Sequence, residues 1–484
     1  MDMWDADPLD DFIGLRPSSL TPNELLPKKI SLVKVSRDPD FNIILETSSP
    51  EGDSPRAKEV PLGTVSITNN SIEFSSPYGA GFLHNVSLLG GRTELSSVNK
   101  ETATQTKFHV QRINFKYSES PVEYTIDRIA NIPDRYIWPN GTHDLMSGQH
   151  IITFNFDPPI EVSMAFPRID SLSNNCAKFI FGDQIAVIAK TDGISSTERP
   201  RPGFIYYPGN PDDVTREKIR ASLSFAFGLP FVYFSTSFFR QNGKIISFQS
   251  STPSTMGGKA WSVISQPFSP IATEGFLDIN LLQKLAQSFF DNYDSLNLRE
   301  FLFQLWHAEI SPSYMKAAYY GSMIESIQKR ESKKLDTKVD SKIIEKSAYK
   351  QTAKLLVRFI QKQDIPEDAK ALFISKVQNG NSVPQRVLAD RFYTALDLNL
   401  GTLELSAWDK RNDAAHGNEQ TPGSEIENFR SIKILRIILA RILLKIIDGS
   451  SNYIDYYTFG HPIRNLADAI PEHTELQPQE PSSQ

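Results

Sequence analysis

The 484-residue sequence predicts an α+β protein: a β-rich N-terminal region, sandwich- or barrel-like, followed by an all-α helical bundle. Three observations carry this. Between Ile30 and about Pro167, apolar and polar residues alternate in short runs separated by Pro, Gly, Asn and Asp clusters, the pattern of half-buried strands. From Leu277 onward the apolar spacing changes to that of helices. Between the two lies STPSTMGGKAWSVISQPFSP (251–270), a Ser/Pro/Gly-rich stretch that reads as a linker.

Taken in order, residues 1–25 form an acidic, mobile arm, and residues 26–270 form the β-rich region, either one domain or two subdomains split near residue 167. Its strands are SLVKVS, FNIILETS, GTVSITNNSIEFSS, KFHVQRINFKYS, HIITFNF, IEVSMAF, KFIFG, QIAVIAK and KIISFQS. Residues 221–239 carry no charge and approach the length of a membrane span, but Gly228, Pro230 and several serines argue instead for a helix ending near Gly228 and then a buried strand. That helix opens at Pro211-Asp-Asp, where acidic residues suit a helix N-terminus. YIWPNGTHD (136–144) is the most loop-like aromatic cluster, more readily a packed turn than a ligand site.

The helical region spans 276–457. Leu281, Leu282, Leu285, Phe289 and Phe290 suit one helix; Tyr314, Ala317, Ala318, Ile324 and Ile327 suit a second, ending in a charged run at Lys329–Lys334. Residues 342–362, 366–378, 384–397 and 403–416 follow. A last, strongly apolar helix over 424–447 begins at Ser424, with Glu427 completing a capping box. Residues 458–484 read as a mostly disordered tail.

Composition narrows the function. One cysteine, Cys176, permits no internal disulfide and has no nearby His with which to bind zinc. Five aspartates before Arg16 are the opposite of a secretory signal, so a soluble, cytoplasmic protein with no membrane partner is expected. Net charge is −6 overall, yet residues 276–450 hold 25 Lys+Arg against 22 Asp+Glu, so a polyanion would bind there. Within that region Lys342, Lys346, Lys350, Lys354 and Arg358 recur every four residues, a basic stripe suited either to plain solvation or to an RNA backbone, with Lys329, Arg330, Lys333 and Lys334 extending it. Trp306-His307 and Trp408 fall in apolar helical patterns and read as core.

The most informative stretch is Arg411-Asn-Asp-Ala-Ala-His416. Arg411 is a permanent cation able to hold a phosphate; His416 can exchange a proton near neutral pH. Chance places Arg-Asn-x3-His about 0.02 times in a chain of this composition, so the hexapeptide is worth weighing against a bland surface ion pair. Asn412 and His416, four apart, share a helix face, and Asn412 could orient His416 or a ribose. Asp413 pairs with Arg411 or is simply solvated.

Arg-x4-His with Asn after the Arg and Gly after the His, set just before a long hydrophobic helix, resembles the ribonuclease motif of the HEPN superfamily, and the chain is most similar there to ApeA-like HEPN proteins of bacterial anti-phage defence. DGSSNYIDYYTFG (448–460) also looks like their tail. The likeness covers about 280–457, with only a general likeness over 30–270. It implies a metal-independent, cofactor-free endoribonuclease acting in abortive infection or as a toxin. Arg411, His416 and Asn412 would be catalytic, and two chains would pair to complete one site. RNA, with tRNA as one candidate, would be the substrate. A phage-derived trigger would be sensed by the N-terminal region. Two other readings remain open: a non-catalytic RNA- or partner-binding protein whose bundle only dimerises, and a ligand-binding β-domain protein with a helical oligomerisation module.

Overall fold

A computed structural model describes residue 9 and residues 19–30, 32–50, 70–95, 102–133, 138–146, 150–164, 171–191, 202–253, 277–334, 339–415 and 423–472. The chain divides into two compact units, residues 1–266 with 270–302, and residues 267–269 with 303–484.

The first unit is built on one antiparallel sheet of 15 strands. These are β1 (Ser19–Leu20), β2 (Leu32–Arg37), β3 (Ile43–Pro50), β4 (Ser71–Ser76), β5 (Gly79–Leu95), β6 (Thr102–Lys116), β7 (Tyr124–Ile129), β8 (Asn140–Met146), β9 (His150–Phe154), β10 (Ile160–Met164), β11 (Ser171–Phe181), β12 (Gln184–Lys190), β13 (Gly203–Pro208), β14 (Tyr233–Phe239) and β15 (Ile245–Ser251). β6 carries β5 along one edge, and β3 followed by β15 along the other. Among the described residues the ends of the path, β1 and β10, do not pair with each other.

Two apolar clusters lie on this sheet. One gathers Val35, Leu45, Phe74, Phe108 and Phe115 from β2–β6 with Phe248 of β15; the other gathers Tyr124, Phe154, Val187, Phe204 and Phe239 from β7–β14. The first of these clusters draws on residues up to 115 and the second on residues from 124, and the chain returns to the first through β15. Of the stretch read as a mobile arm, residues 9 and 19–25 are described: Leu9 is buried in the first core, and β1 pairs with β4.

Alternation was a sound guide where one face of a strand is covered, as in β3, and failed where both are. β7 (YTIDRI) is buried along its whole length despite holding Asp127 and Arg128. β5 was hidden by its glycines: a Cβ at Gly81 would lie 2.2 Å from the Asn114 carbonyl oxygen, so the strand needs a residue without one. Residues 136 and 137 lie outside the described residues; of the rest of 136–144, Trp138 is fully buried, its indole N–H donates to the Pro133 carbonyl (3.2 Å), and Asn140 opens β8.

Helix α1 (Asp213–Phe227) begins at Asp212, whose carboxylate accepts from the Thr215 N–H (2.7 Å), and ends at Gly228 in the left-handed conformation. With β14 following, the uncharged 221–239 stretch is thus a buried helix end and strand; no helix among the described residues is long and apolar enough to cross a membrane. Arg216 and Arg220, one turn apart on α1, both reach Asp127. Arg220 Nη1 donates to Oδ2, Arg216 Nε lies 3.5 Å from Oδ1, and the Thr236 hydroxyl donates to Oδ1 (2.6 Å). Asp127 and Arg216 are buried, and the Arg220 side chain is 11 % exposed. Burial also pushes the hydroxyls of Tyr207 and Tyr233 beside them above the ordinary tyrosine range.

Helix α2 (Ile279–Asp291) belongs to this first unit, although its period announces the helical region. Phe289 stacks on Phe225 (4.6 Å), Phe290 meets Phe181 (5.1 Å), and Gln283 exchanges hydrogen bonds with the Ile180 backbone. Helix α3 (Leu298–Ile310) crosses the boundary between the units.

The second unit holds α4 (Ser313–Lys334), α5 (Lys346–Gln361), α6 (Glu367–Asn379), α7 (Gln385–Ala395), α8 (Thr402–Ala415) and α9 (Glu425–Ile446). Its centre is α4, α8 and α9 packed on one another. From Ile432 to Leu444 almost every apolar residue of α9 is buried, so the helix is enclosed on most sides. The capping box at its start does not form. Ser424 caps no backbone N–H, and Glu427 is bound instead by Lys410 of α8.

Residues 458–472, assigned above to the tail, are packed. β16 (Asn452–Ile454) pairs with β17 (Ile463–Asn465), Arg464 donates to buried Asp455 (2.7 Å), and Leu466 and Ile470 are buried. Apolar anchors spaced between polar residues were enough to hold a short hairpin. Residues 473–484 lie outside the described residues.

Candidate functional site

Helix α8 carries the 411–416 motif, and it is fixed from several sides. At its first turn Glu404 accepts from the Gly401 N–H (2.7 Å) and pairs with buried Arg441 of α9. Arg441 in turn donates to the carbonyls of Leu466 and Asn399 (2.8–2.9 Å), tying the C-terminal hairpin to the same point. Burial raises the Glu404 carboxyl above its usual range, opposed by the Arg441 charge. Midway, Asp409 meets Arg386 of α7 (3.2 Å) and Lys410 meets Glu427 of α9. The last turn is held by Arg411 itself.

Arg411 is buried, at 5 % exposure. Its Nη2 and Nε donate to Oε1 of Glu325 on α4 (2.6 and 3.1 Å), and Nη1 donates to the Trp408 carbonyl (2.6 Å). Its guanidinium carbon lies 3.5 Å from the centre of the Trp408 ring. The stem runs against Gly321, where a Cβ would come within 3.1 Å of Arg411 Cδ. A guanidinium has five N–H donors. Among the described residues these bonds use one N–H on each of its three nitrogens. Glu325 is 46 % exposed, so the pair faces solvent from the glutamate side.

Among the described residues, buried polar atoms without partners lie on the helices around this pair. Gln328, one turn beyond Glu325 on α4, has neither its amide N nor its O satisfied; the Trp408 indole N–H and the Tyr393 hydroxyl are likewise unpaired. Tyr393 meets Trp408 edge-on (6.5 Å), and burial pushes its hydroxyl up, opposed by the Arg411 charge. Each such group costs about 1–3 kcal/mol unless water or another molecule satisfies it.

The remaining candidates fall as follows. Asn412 and Asp413 lie on the last turn of α8, their side chains not described; His416, directly after Ala415, lies outside the described residues. The expected stripe is four residues rather than five. Lys346, Lys350, Lys354 and Arg358 lie exposed along α5, but Lys342 precedes that helix. The Glu345 side chain accepts from the N–H groups of Ser347 and Ala348, starting α5 at Lys346, while Lys342 forms a bridge with Ser382. The proposed extension is partly neutralised, because Glu331 takes Arg330 (3.0 Å) and Lys334 (3.1 Å). Trp306 and Trp408 are core residues.

Sequence reading missed Glu325 and Asp127. Glu325 stands 86 residues from Arg411 with no local signal. Asp127 could have been suspected from the four-residue spacing of Arg216 and Arg220, two cations on the apolar side of one helix. No family model matches the chain, and neither the search of curated proteins nor that of solved structures returned a match.

Proposed function

We propose that the helical unit is a metal-independent endoribonuclease in which Arg411 binds the scissile phosphate and His416 transfers the proton of the attacking 2′-hydroxyl or of the leaving group. The observation that carries this reading is the state of Arg411. It is held in one orientation by Glu325 and the Trp408 carbonyl, bonds that account among the described residues for three of its five N–H groups. A cation fixed before substrate arrives stabilises developing negative charge without reorganising at the moment of reaction. Glu325 would act through Arg411 as a positioning residue. Asn412 would orient His416 or the ribose, and Lys346, Lys350, Lys354 and Arg358 would attract the RNA backbone. One chain supplies one Arg and one His, whereas in-line cleavage wants an acid, a base and charge stabilisation together. Pairing of two chains, each giving its 411–416 segment to a composite site, meets that need. The N-terminal sheet unit would restrain this activity until a phage-derived trigger binds, in a cytoplasmic defence or toxin role.

The depth of Arg411 favours a second reading. A cation this buried and this well paired also serves simply to lock α8 to α4, in which case the unit binds RNA or a partner without cleaving. The identity of the RNA ends separates the two. Incubating labelled tRNA or total RNA with the full chain in excess EDTA is expected to give 2′,3′-cyclic phosphate and 5′-hydroxyl termini. Absence of cleavage, dependence on a divalent ion, or 5′-phosphate termini would exclude the proposed chemistry.

A further inference from the structure

We infer that the open half of the sheet face beside α1 is a binding site for a neutral oligosaccharide. The strand registers lay out this face. Residues opposite each other on neighbouring strands share a face. One such row runs Glu73, Phe82, Asn114, Gln249, Thr236 and Asp127 across β4, β5, β6, β15, β14 and β7. Helix α1 covers the Asp127 end, where Arg216 and Arg220 meet the carboxylate and Arg216 lies over the Phe238 ring (5.2 Å). Away from α1, burial falls off step by step. Thr236 is buried, Gln249 and Asn114 are half-buried, and Phe82 and Glu73 are exposed. The flank of α1 and the barer strands form a shelf.

The floor of this shelf sets hydrogen-bonding groups around one ring. Phe82 is 44 % exposed, and its ring stacks against that of His84 (6.1 Å, 25°). The Asn114 amide N–H donates to His84 Nε2 (3.1 Å), while the Asn114 carbonyl oxygen is buried with no partner among the described residues. Burial and the charge of Arg112, its cross-strand neighbour, hold His84 below the ordinary histidine range. The imidazole is therefore uncharged near neutral pH and keeps its Nδ1–H as a donor. Gln249 adds a second carboxamide, with a donor and an acceptor side by side. Phe82, Asn114 and Gln249 stand one strand apart, a step of about 5 Å and close to the width of one sugar ring.

Charge selects the occupant. Glu119 binds Lys116 (2.5 Å) and Glu46 binds Lys107 (2.6 Å), which among the described residues leaves Arg112 and Glu73 near Phe82, one of each sign. A single-stranded nucleic acid also stacks on exposed rings, but it needs a basic track for its phosphates. This floor is balanced instead. A protein partner wants an apolar centre, and Phe82 is the one large apolar side chain of the row. A sugar fits both features. Its C–H face lies on an aromatic ring, and its hydroxyls, each donor and acceptor at once, pair with carboxamides and imidazole.

The inference is independent of the proposed RNA chemistry, and its test reads sugar binding. Isothermal titration of the full chain with maltotetraose, cellotetraose and chitotetraose is expected to show millimolar or tighter binding of at least one. Phe82→Ala should weaken that binding at least about tenfold, and Phe82→Trp, which keeps a ring, should retain it. Asn114→Ala/Gln249→Ala should weaken it to a similar degree. Tyr78→Ala, which removes a more exposed ring at the β4–β5 turn, should not. Added salt should leave the affinity unchanged, because no ion pair forms on binding. Melting curves matching wild type will show the fold intact, and should Phe82→Ala melt early, the Asn114/Gln249 variant carries the test. Absence of binding by all three sugars, or binding that these variants leave unaltered, overturns the inference. So does salt-sensitive binding of oligouridylate that is lost in Phe82→Ala, which would assign the face to nucleic acid.

Discussion

Asp127→Ala is expected to destabilise the sheet unit by about 3–5 kcal/mol, the cost of leaving buried charges without their counter-ion. Arg216 and Arg220 both converge on this carboxylate, and neither can turn to water without lifting α1 from the sheet. Arg216 keeps Asp213 (2.7 Å) and the Pro211 carbonyl (2.9 Å), so Arg220 is the group left most exposed to the penalty. Asp127→Ala combined with Arg220→Met should recover part of the loss, since an apolar side chain of similar volume needs no partner. Urea unfolding followed by tryptophan fluorescence measures both. A single substitution costing less than about 1 kcal/mol would show that the cluster is held by packing around it rather than by its charges.

Arg411→Ala is expected to reduce RNA cleavage by at least about 10²-fold, the typical effect of removing one donor to a developing anion. It should also lower stability by about 1–3 kcal/mol. The second effect departs from what the sequence suggests. A polar residue near a helix end looks dispensable to the fold, but this one is buried, stacked on Trp408 and bonded to α4. Glu325 separates the two contributions. Glu325→Gln keeps the acceptor oxygen and should retain most activity, whereas Glu325→Ala frees the guanidinium and should lower kcat with little change in KM. If Glu325→Ala leaves kcat at the wild-type value while Arg411→Ala abolishes cleavage, Glu325 does not position Arg411.

Where the sequence was legible, the reason is periodicity facing a single solvent boundary. β3, β9 and α4 alternate or repeat against one covered face, and each was evident. β7 and β13 are covered on both faces, so alternation carries no information there. The boundary of the helical unit was misplaced for a related reason. α2 has a helical period, but periodicity does not say which core a helix joins, and its phenylalanines pack on α1 and β11. At the candidate site the motif was visible as a string, whereas its meaning depends on a contact across 86 residues that no local pattern announces. The basic stripe was readable at four of its five positions; the fifth was lost to the capping of α5 by Glu345.

The account stands or falls on His416. The direct measurement compares cleavage of one labelled RNA, in excess EDTA, by wild-type chain and by His416→Ala at matched dimer concentration. The proposed mechanism predicts a loss of about 10²–10⁴-fold in rate, with melting temperature and sedimentation unchanged. Equal rates for the two proteins would contradict it and leave the Arg411–Glu325 pair as a structural lock between α8 and α4.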